Sequence, residues 1–341
     1  MRPALRPGVT VWWRRADTVV VRHQGTSRLI TGLPVGAATL FRLLDGSHPL
    51  EQISALVGSV GAADFDPVGV IDLLVAAGAV YDAGALPRLD TAAPAVRERL
   101  LAESVAWTSH HDPAALFGRR QRAVVRVLST DVLTVAIALQ LAASGVGSFV
   151  LNKSVDEPGL VEPSDVVPGA LPGTSLGTPR VTALRDVITA LGSTVITRTP
   201  PTTDFALTAR PDGVHTAAST ADVPYLAASV VGRVGLVGPL VVPGITACVQ
   251  CEQLTRLDRD NATDDEFVRT LARSPGSGVA TAVMLAASHA AIAVLEFIDN
   301  ATPGRLPALA GHVLTIEVPG PRLSLAAVRP HPRCGCCWDA A

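Results

Sequence analysis

All five cysteines of this chain fall in its last third, as C-V-Q-C at Cys248–Cys251 and C-G-C-C at Cys334–Cys337. Tetrahedral zinc takes four thiolate or imidazole ligands at about 2.3 or 2.0 Å, usually supplied by two short knuckles that the fold brings together. Cys248, Cys251, Cys334 and Cys337 give C-x-x-C twice, with Cys336 as the alternate to Cys337. A disulfide suits an oxidising compartment, and a redox C-x-x-C has no need of a second cluster far along the chain. The pattern therefore predicts a closed, structural Zn2+ site that pins the C-terminal segment onto whatever carries the first knuckle. His331, beside Pro332, reads as a surface histidine and not as a ligand.

Charge narrows the range of partners. Only 17% of the 341 residues are charged, where about 25% is usual, and the formal net charge is −2. Residues 1–90 hold eight arginines and eight acids, so clustered phosphate neutralisation has no basis and no nucleic-acid partner is expected. Lys153 is the only lysine and stands in no G-x-x-x-x-G-K-[ST] loop, which removes a Walker-type phosphate site. The N-terminus lacks an apolar h-region followed by a cleavage site, and a cytoplasmic location is expected. Val279–Ile298 is about as long as a membrane span, but it is Ala-rich and carries Ser288, His289 and Glu296. It is read as a helix buried in a core or a dimer contact, with no membrane partner.

Hydrophobic spacing divides the chain into residues 1–90, a connector at 91–120, and residues 121–341. Thr10–Arg14, Thr18–His23 and Arg28–Leu33 are β-rich runs that predict an antiparallel meander. Three helices follow, the last with Asp66 as N-cap, Pro67 at the first helical position and Val70, Leu73, Leu74 and Ala77 as its apolar stripe. Ala79–Tyr81 then closes a winged-helix-like module. The connector is expected to hold one charged helical piece, Ala95–Ser104. Beyond it, Ala123–Leu128, Val132–Ser144 and Ser148–Leu151 read as a β-α-β unit, the start of an α/β domain with a parallel sheet. His110-His111-Asp112 is taken as exposed linker, and residues 274–278 as a flexible turn.

Over roughly residues 120–338 the chain resembles the ThiF-type, ubiquitin-activating-like adenylyltransferases. The carriers are Ala143-Ser144-Gly145-Val146-Gly147 at the end of the first β-α-β helix, G-P-L-V-V-P-G-I-T-A-C-V-Q-C at 238–251, and H-P-R-C-G-C-C at 331–337. The resemblance implies a Rossmann-type α/β domain with a zinc knuckle. Members bind ATP on a G-x-G-x-x-G turn and hold its ribose with an acid after the second strand. Here the turn is Ser129-Thr130-Asp131-Val132-Leu133-Thr134, without the glycines that let backbone approach a phosphate, and Asp131 puts a negative charge where the phosphate belongs. The ribose position falls near Asn152 or Lys153, with Asp156 a few residues later, and 162–176 contains no arginine. ATP is not expected to bind.

With the first 90 residues included, the chain is similar to the ocin-ThiF-like, cyclodehydratase-associated proteins, in which a PqqD-like module precedes a ThiF-like domain that keeps zinc and has given up ATP. This implies a non-catalytic partner, a pseudoenzyme of bacteriocin biosynthesis, that binds the leader of a ribosomal precursor peptide for a YcaO-type cyclodehydratase. The family's groove lies between the third strand and the third helix. It maps onto Arg28, Leu29, Ile30 and Thr31 and onto Val70, Leu73 and Leu74, where an extended peptide would add a strand. At least half of these apolar residues are expected to be core, and Arg28 is the polar contact for an acidic leader. A homodimer is implied, with Val279–Ile298 as its contact. The alternatives are an interaction scaffold unrelated to peptide modification and an atypical ATP-dependent adenylyltransferase.

Overall fold

The computed structural model describes residues 1–23, 25–33, 37–59, 66–86, 89, 92–106, 113–151, 159–197, 202–209, 223–260, 278–300, 305–320 and 322–336. Two compact units divide the chain, Met1–Gly118 and Arg119–Ala341.

In the first unit, β1 (Pro3–Leu5) precedes the meander β2 (Thr10–Arg15), β3 (Thr18–His23) and β4 (Thr26–Ile30), and the meander forms its own three-stranded sheet in that order. Helices α1 (Ala37–Leu43), α2 (Leu50–Ser59) and α3 (Pro67–Ala76) follow. β5 (Val80–Asp82) then pairs antiparallel with β1, so the N-terminus closes on the strand after the third helix. Asp66 caps α3, its carboxylate accepting the Val68 N–H at 3.0 Å, with Pro67 at the first position, where no amide is needed. Val19, Val21 and Ile30 from the meander pack with Leu40, Ile53, Ile71 and Leu74 from the helices into one core.

Two details differ from the sequence reading. The third strand stops at Ile30 and Thr31 lies beyond it, because Gly32 turns the chain with φ +76°, a conformation a strand cannot contain. The connector holds two helices, α4 (Pro94–Ala106) and α5 (Pro113–Arg122), and the unit boundary falls within α5. His110-His111-Asp112 lies outside the described residues.

The second unit runs β6 (Val124–Val127), α6 (Val132–Ala143), β7 (Ser148–Leu151), α7 (Arg180–Ala190), β8 (Thr194–Ile196), β9 (Phe205–Ala209), β10 (Tyr225–Val231), β11 (Val234–Val241), α8 (Val249–Asp260), α9 (Ala280–Asp299), β12 (His312–Glu317) and β13 (Arg322–Ala327). One eight-stranded sheet has the order β13-β12-β11-β10-β9-β6-β7-β8. The five strands from β10 to β8 are parallel, and β11, β12 and β13 continue antiparallel. Because β6 is central and the chain winds outward from it in both directions, the topological switch point lies between β6 and β9. In such sheets ligands bind outside the carboxyl ends of the strands at that point.

Side chains alternate between the faces. Val125, Val127, Phe205 and Leu207 join α6, α7 and α9 in the main core, whereas Ala206, Tyr225, Ala227 and Val241 join the cysteine knuckle in a second cluster. The turn after α6 is set by two glycines. Gly145 has φ +96°, and a Cβ on Gly147 would lie 1.8 Å from the Gln121 carbonyl oxygen.

α9 is long and apolar enough to cross a membrane, but half of its apolar window is buried within the protein. Its alanines face inward, including Ala282, Ala286, Ala287 and Ala290. Such small side chains let α9 lie close against β11, where a Cβ on Gly235 would already come within 3.1 Å of Ala286. The C-terminal end of α9 is tied to α5 by an ion pair. The fully buried Arg120 guanidinium donates to both Asp299 carboxylate oxygens, at 2.8 and 2.6 Å, and to the Ser144 carbonyl at 3.0 Å.

Candidate functional site

The two cysteine knuckles meet behind the sheet. Cys248 directly precedes α8 and Cys251 lies in its first turn, while Cys334 and Cys336 come from the tail after β13. The four sulfurs lie within 4.8 Å of one another. Cys248 to Cys334 is 3.4 Å, Cys251 to Cys336 is 3.3 Å, and Cys248 to Cys251 is 3.9 Å. Four ligands at about 2.3 Å in a tetrahedron stand about 3.8 Å apart, so these spacings suit one metal ion with little adjustment. Among the described residues Cys336, the alternate named from the sequence, joins the cluster, and Cys337 lies outside the described residues.

The His331 backbone N–H donates to the Cys251 sulfur at 3.3 Å, the kind of N–H···S contact that steadies a ligating thiolate. The Cys248 thiol's hydrogen bond, followed by that backbone N–H, pulls the Cys251 thiol down to about 4. The bond to Cys251, followed by burial, pushes Cys248 up. Burial raises Cys334 to about 12. Without metal the cluster therefore shares its protons unevenly, and four thiolates together require a cation.

The His331 side chain is not on the surface as expected. It is only 10% exposed, with Nε2 2.8 Å from Asp258 on α8. The Arg333 guanidinium donates to the other oxygen of the same carboxylate. The bond to His331 is the largest influence holding the Asp258 carboxyl below its ordinary range. Asp258 is thus the second anchor of the tail, one that an i+7 position on a polar helix does not announce. A cavity of about 300 Å³ adjoins the cluster, lined among others by Tyr225, Thr246, Gln250 and Cys334. Burial, then the nearby Cys248, push the Tyr225 phenol above its ordinary range, so it stays a neutral wall of that cavity.

At the switch point, the turn between β6 and α6 is closed on itself. Asp131 is the N-cap of α6, and its Oδ1 accepts the Leu133 and Thr134 N–H groups at 3.0 and 3.1 Å. Its Oδ2 accepts the Ser129 and Thr134 hydroxyls, each at 2.6 Å. The first amides of α6, which a bound phosphate would otherwise meet, are taken by a carboxylate of the same chain. In the 162–176 segment Asp165 is buried and pairs with Arg180 at 2.8 Å, which ties the segment to the start of α7. Asn152, Lys153, Asp156 and residues 274–277 lie outside the described residues.

The residues mapped to the peptide groove divide in two. Ile30, Val70 and Leu74 are core, while Leu29 and Leu73 are 53% and 52% exposed. Arg28 is exposed and reaches the C-terminal end of α3, where its Nη1 donates to the Ala76 carbonyl at 3.4 Å. Among the described residues β4 is an edge strand, paired with β3 alone.

A doubly wound parallel sheet with an antiparallel extension, a filled turn at its switch point and a four-cysteine cluster defines the class of α/β protein to which the second unit conforms. Among solved structures, the microcin C7 biosynthetic enzyme MccB in complex with N-formylated MccA matches over 99% of this chain and 100% of its own, with a TM-score of 0.65 and 15% identity. E. coli MccB with ATP matches over the same shares at 0.61 and 16%. PaaA matches over 94% of this chain and 98% of its own at 0.59 and 16%. At these identities the likeness is one of fold. Neither protein-family models nor curated protein sequences give a match.

Proposed function

We propose that this protein is a non-catalytic partner that binds a ribosomal precursor peptide and presents it to a YcaO-type cyclodehydratase. The observation that carries this reading is the state of α6: its N-terminal amides are occupied by Asp131, while among the described residues nothing pairs with the β4 edge. A phosphate at that turn would displace the carboxylate from its donors or lie against its charge. An extended peptide at β4 would find free ladder groups, with Leu29 and Leu73 exposed beside them and Arg28 for an acidic side chain. A peptide ligand agrees with the relatives in fold. MccB is found in complex with N-formylated MccA and with MccA-N7isoAsn.

In this reading residues 1–90 are a winged-helix-like, PqqD-like recognition module, and the four-cysteine cluster holds structural Zn2+. Zinc would supply a cross-link. Cys248, Cys251, Cys334 and Cys336 would fix the tail to α8, with no position left for substrate. The protein is cytoplasmic and homodimeric, and the exposed Leu285 and Ile292 of α9 offer the apolar contact. Light scattering at micromolar concentration is expected to give twice the chain mass, and a monomer would overturn the dimer.

The experiment for the reading is capture of tagged protein from native cell extract, with mass spectrometry covering short peptides. Recovery of a precursor peptide that Arg28→Glu no longer retains supports it. Recovery of other proteins without any peptide favours a scaffold unrelated to peptide modification. A second reading, an atypical adenylyltransferase, is favoured by the likeness to MccB bound to ATP, and it predicts ATP-dependent pyrophosphate exchange.

A further inference from the structure

The meander has a second free edge. Among the described residues β2 pairs with β3 alone, and along it Trp12 and Trp13 are 37% and 39% exposed. The period of two places these rings on opposite faces. Trp12 shares the outer face with Arg22, whose guanidinium lies 5.3 Å above its ring, while Trp13 meets Phe41 of α1 edge-on at 6.3 Å. The two indoles therefore flank the free row of backbone groups from either side. The strand ends in a register shift between Trp13 and Arg15, which leaves Arg14 without a partner position on β3. Bulges of this kind re-aim side chains at functional edges. A cavity of about 320 Å³ opens there between Trp13, Arg14, Arg15 and Ala38.

Charge selects the occupant. Thr10–His23 carries Arg14, Arg15 and Arg22 against the single acid Asp17. Among the described residues none of these arginines is in an ion pair within this unit, and Asp17 accepts the Thr18 hydroxyl. Exposed tryptophan beside arginine is the composition of interface hot spots, not of an ordinary surface. Unpaired N–H and C=O groups along an edge match the backbone of another polypeptide, which a nucleic acid cannot reproduce.

We propose that the β2 edge is a second docking strand, built to take an extended acidic segment of a partner polypeptide between Trp12 and Trp13, with its carboxylates on Arg14, Arg15 and Arg22. The site is separate from the β4 groove, so the module can hold two chains at once, one on each edge of the same sheet.

The test uses the full-length protein and a fluorophore-labelled peptide of alternating Glu and Val, with an alternating Lys and Val peptide and oligo-dT as comparisons, read by anisotropy. The acidic peptide is expected to bind best, more weakly as salt rises, and with quenching of tryptophan emission. Arg14→Glu combined with Arg15→Glu is expected to weaken it by about tenfold or more, and Trp12→Ala similarly, while Arg322→Glu on β13 leaves it unchanged. Circular dichroism confirms that each variant is folded. Equal binding of the acidic and basic peptides, preferential binding of oligo-dT, or binding lost with Arg28→Glu but not with the β2 variants would each overturn the proposal. Because the β4 reading is tested by Arg28→Glu capture of a precursor, the two can fail independently.

Discussion

Leu73 and Leu74 are neighbours in one helix with opposite tasks. Leu74 is fully buried in the core of the first unit, and Leu74→Ala is expected to cost about 2–5 kcal/mol, measured as a lowered urea midpoint. Leu73 is half exposed, and Leu73→Ala should leave the midpoint within about 0.5 kcal/mol of wild type while weakening any peptide held at β4. The helical stripe read from the sequence contained both residues and did not separate them, because a stripe wide enough to face the core also has a margin. Asp131 was legible in a different way. An acid in place of glycine marked the turn as unsuited to phosphate, but the four hydrogen bonds that make it the cap of α6 are visible only in three dimensions. For the cysteines, spacing pointed to two knuckles that the fold brings together but left the fourth member open, since C-G-C-C contains both a C-x-C and a C-x-x-C. Cys336→Ser is expected to abolish metal retention, measured by elemental analysis of protein prepared without chelators, and Cys337→Ser to preserve about one metal ion per chain. The opposite outcome would move the fourth ligand to Cys337.

Among elements, α9 shows how composition misleads and packing corrects. A twenty-residue, Ala-rich helix meets the length of a membrane span, yet its alanines are the means by which a helix approaches a sheet and a second helix closely. What fixes its C-terminal end is Asp299, whose carboxylate is held by Arg120. Removing one partner of a buried pair leaves the other charge uncompensated, so Asp299→Ala is expected to destabilise the second unit by about 3–5 kcal/mol in denaturant unfolding. Nothing in the sequence linked these residues, which lie 179 positions apart. The same holds for β1 with β5. A three-residue strand at the N-terminus has no periodicity to read, and its identity comes only from the partner it meets. The strands and helices with sustained apolar spacing were legible close to their observed limits, whereas α5 was not, because its mean composition is polar.

At the level of the whole chain, the fold of MccB and PaaA is kept over nearly all of its length, while the turn that would receive a nucleotide phosphate is filled from within. The cysteine cluster belongs to the same picture. Metal binding in closed four-thiolate sites contributes about 10 kcal/mol or more to folding, enough to hold a C-terminal tail whose other anchors are the contacts of His331 and Arg333 with Asp258. Among the described residues the first amides of α6 are held by Asp131, and the proposed reading rests on that turn staying closed to ATP. The most direct test is a calorimetric titration of metal-loaded protein with ATP and Mg²⁺. The account predicts no saturable binding up to millimolar nucleotide. Saturable binding of one ATP per chain would contradict it and return the protein to the adenylyltransferases.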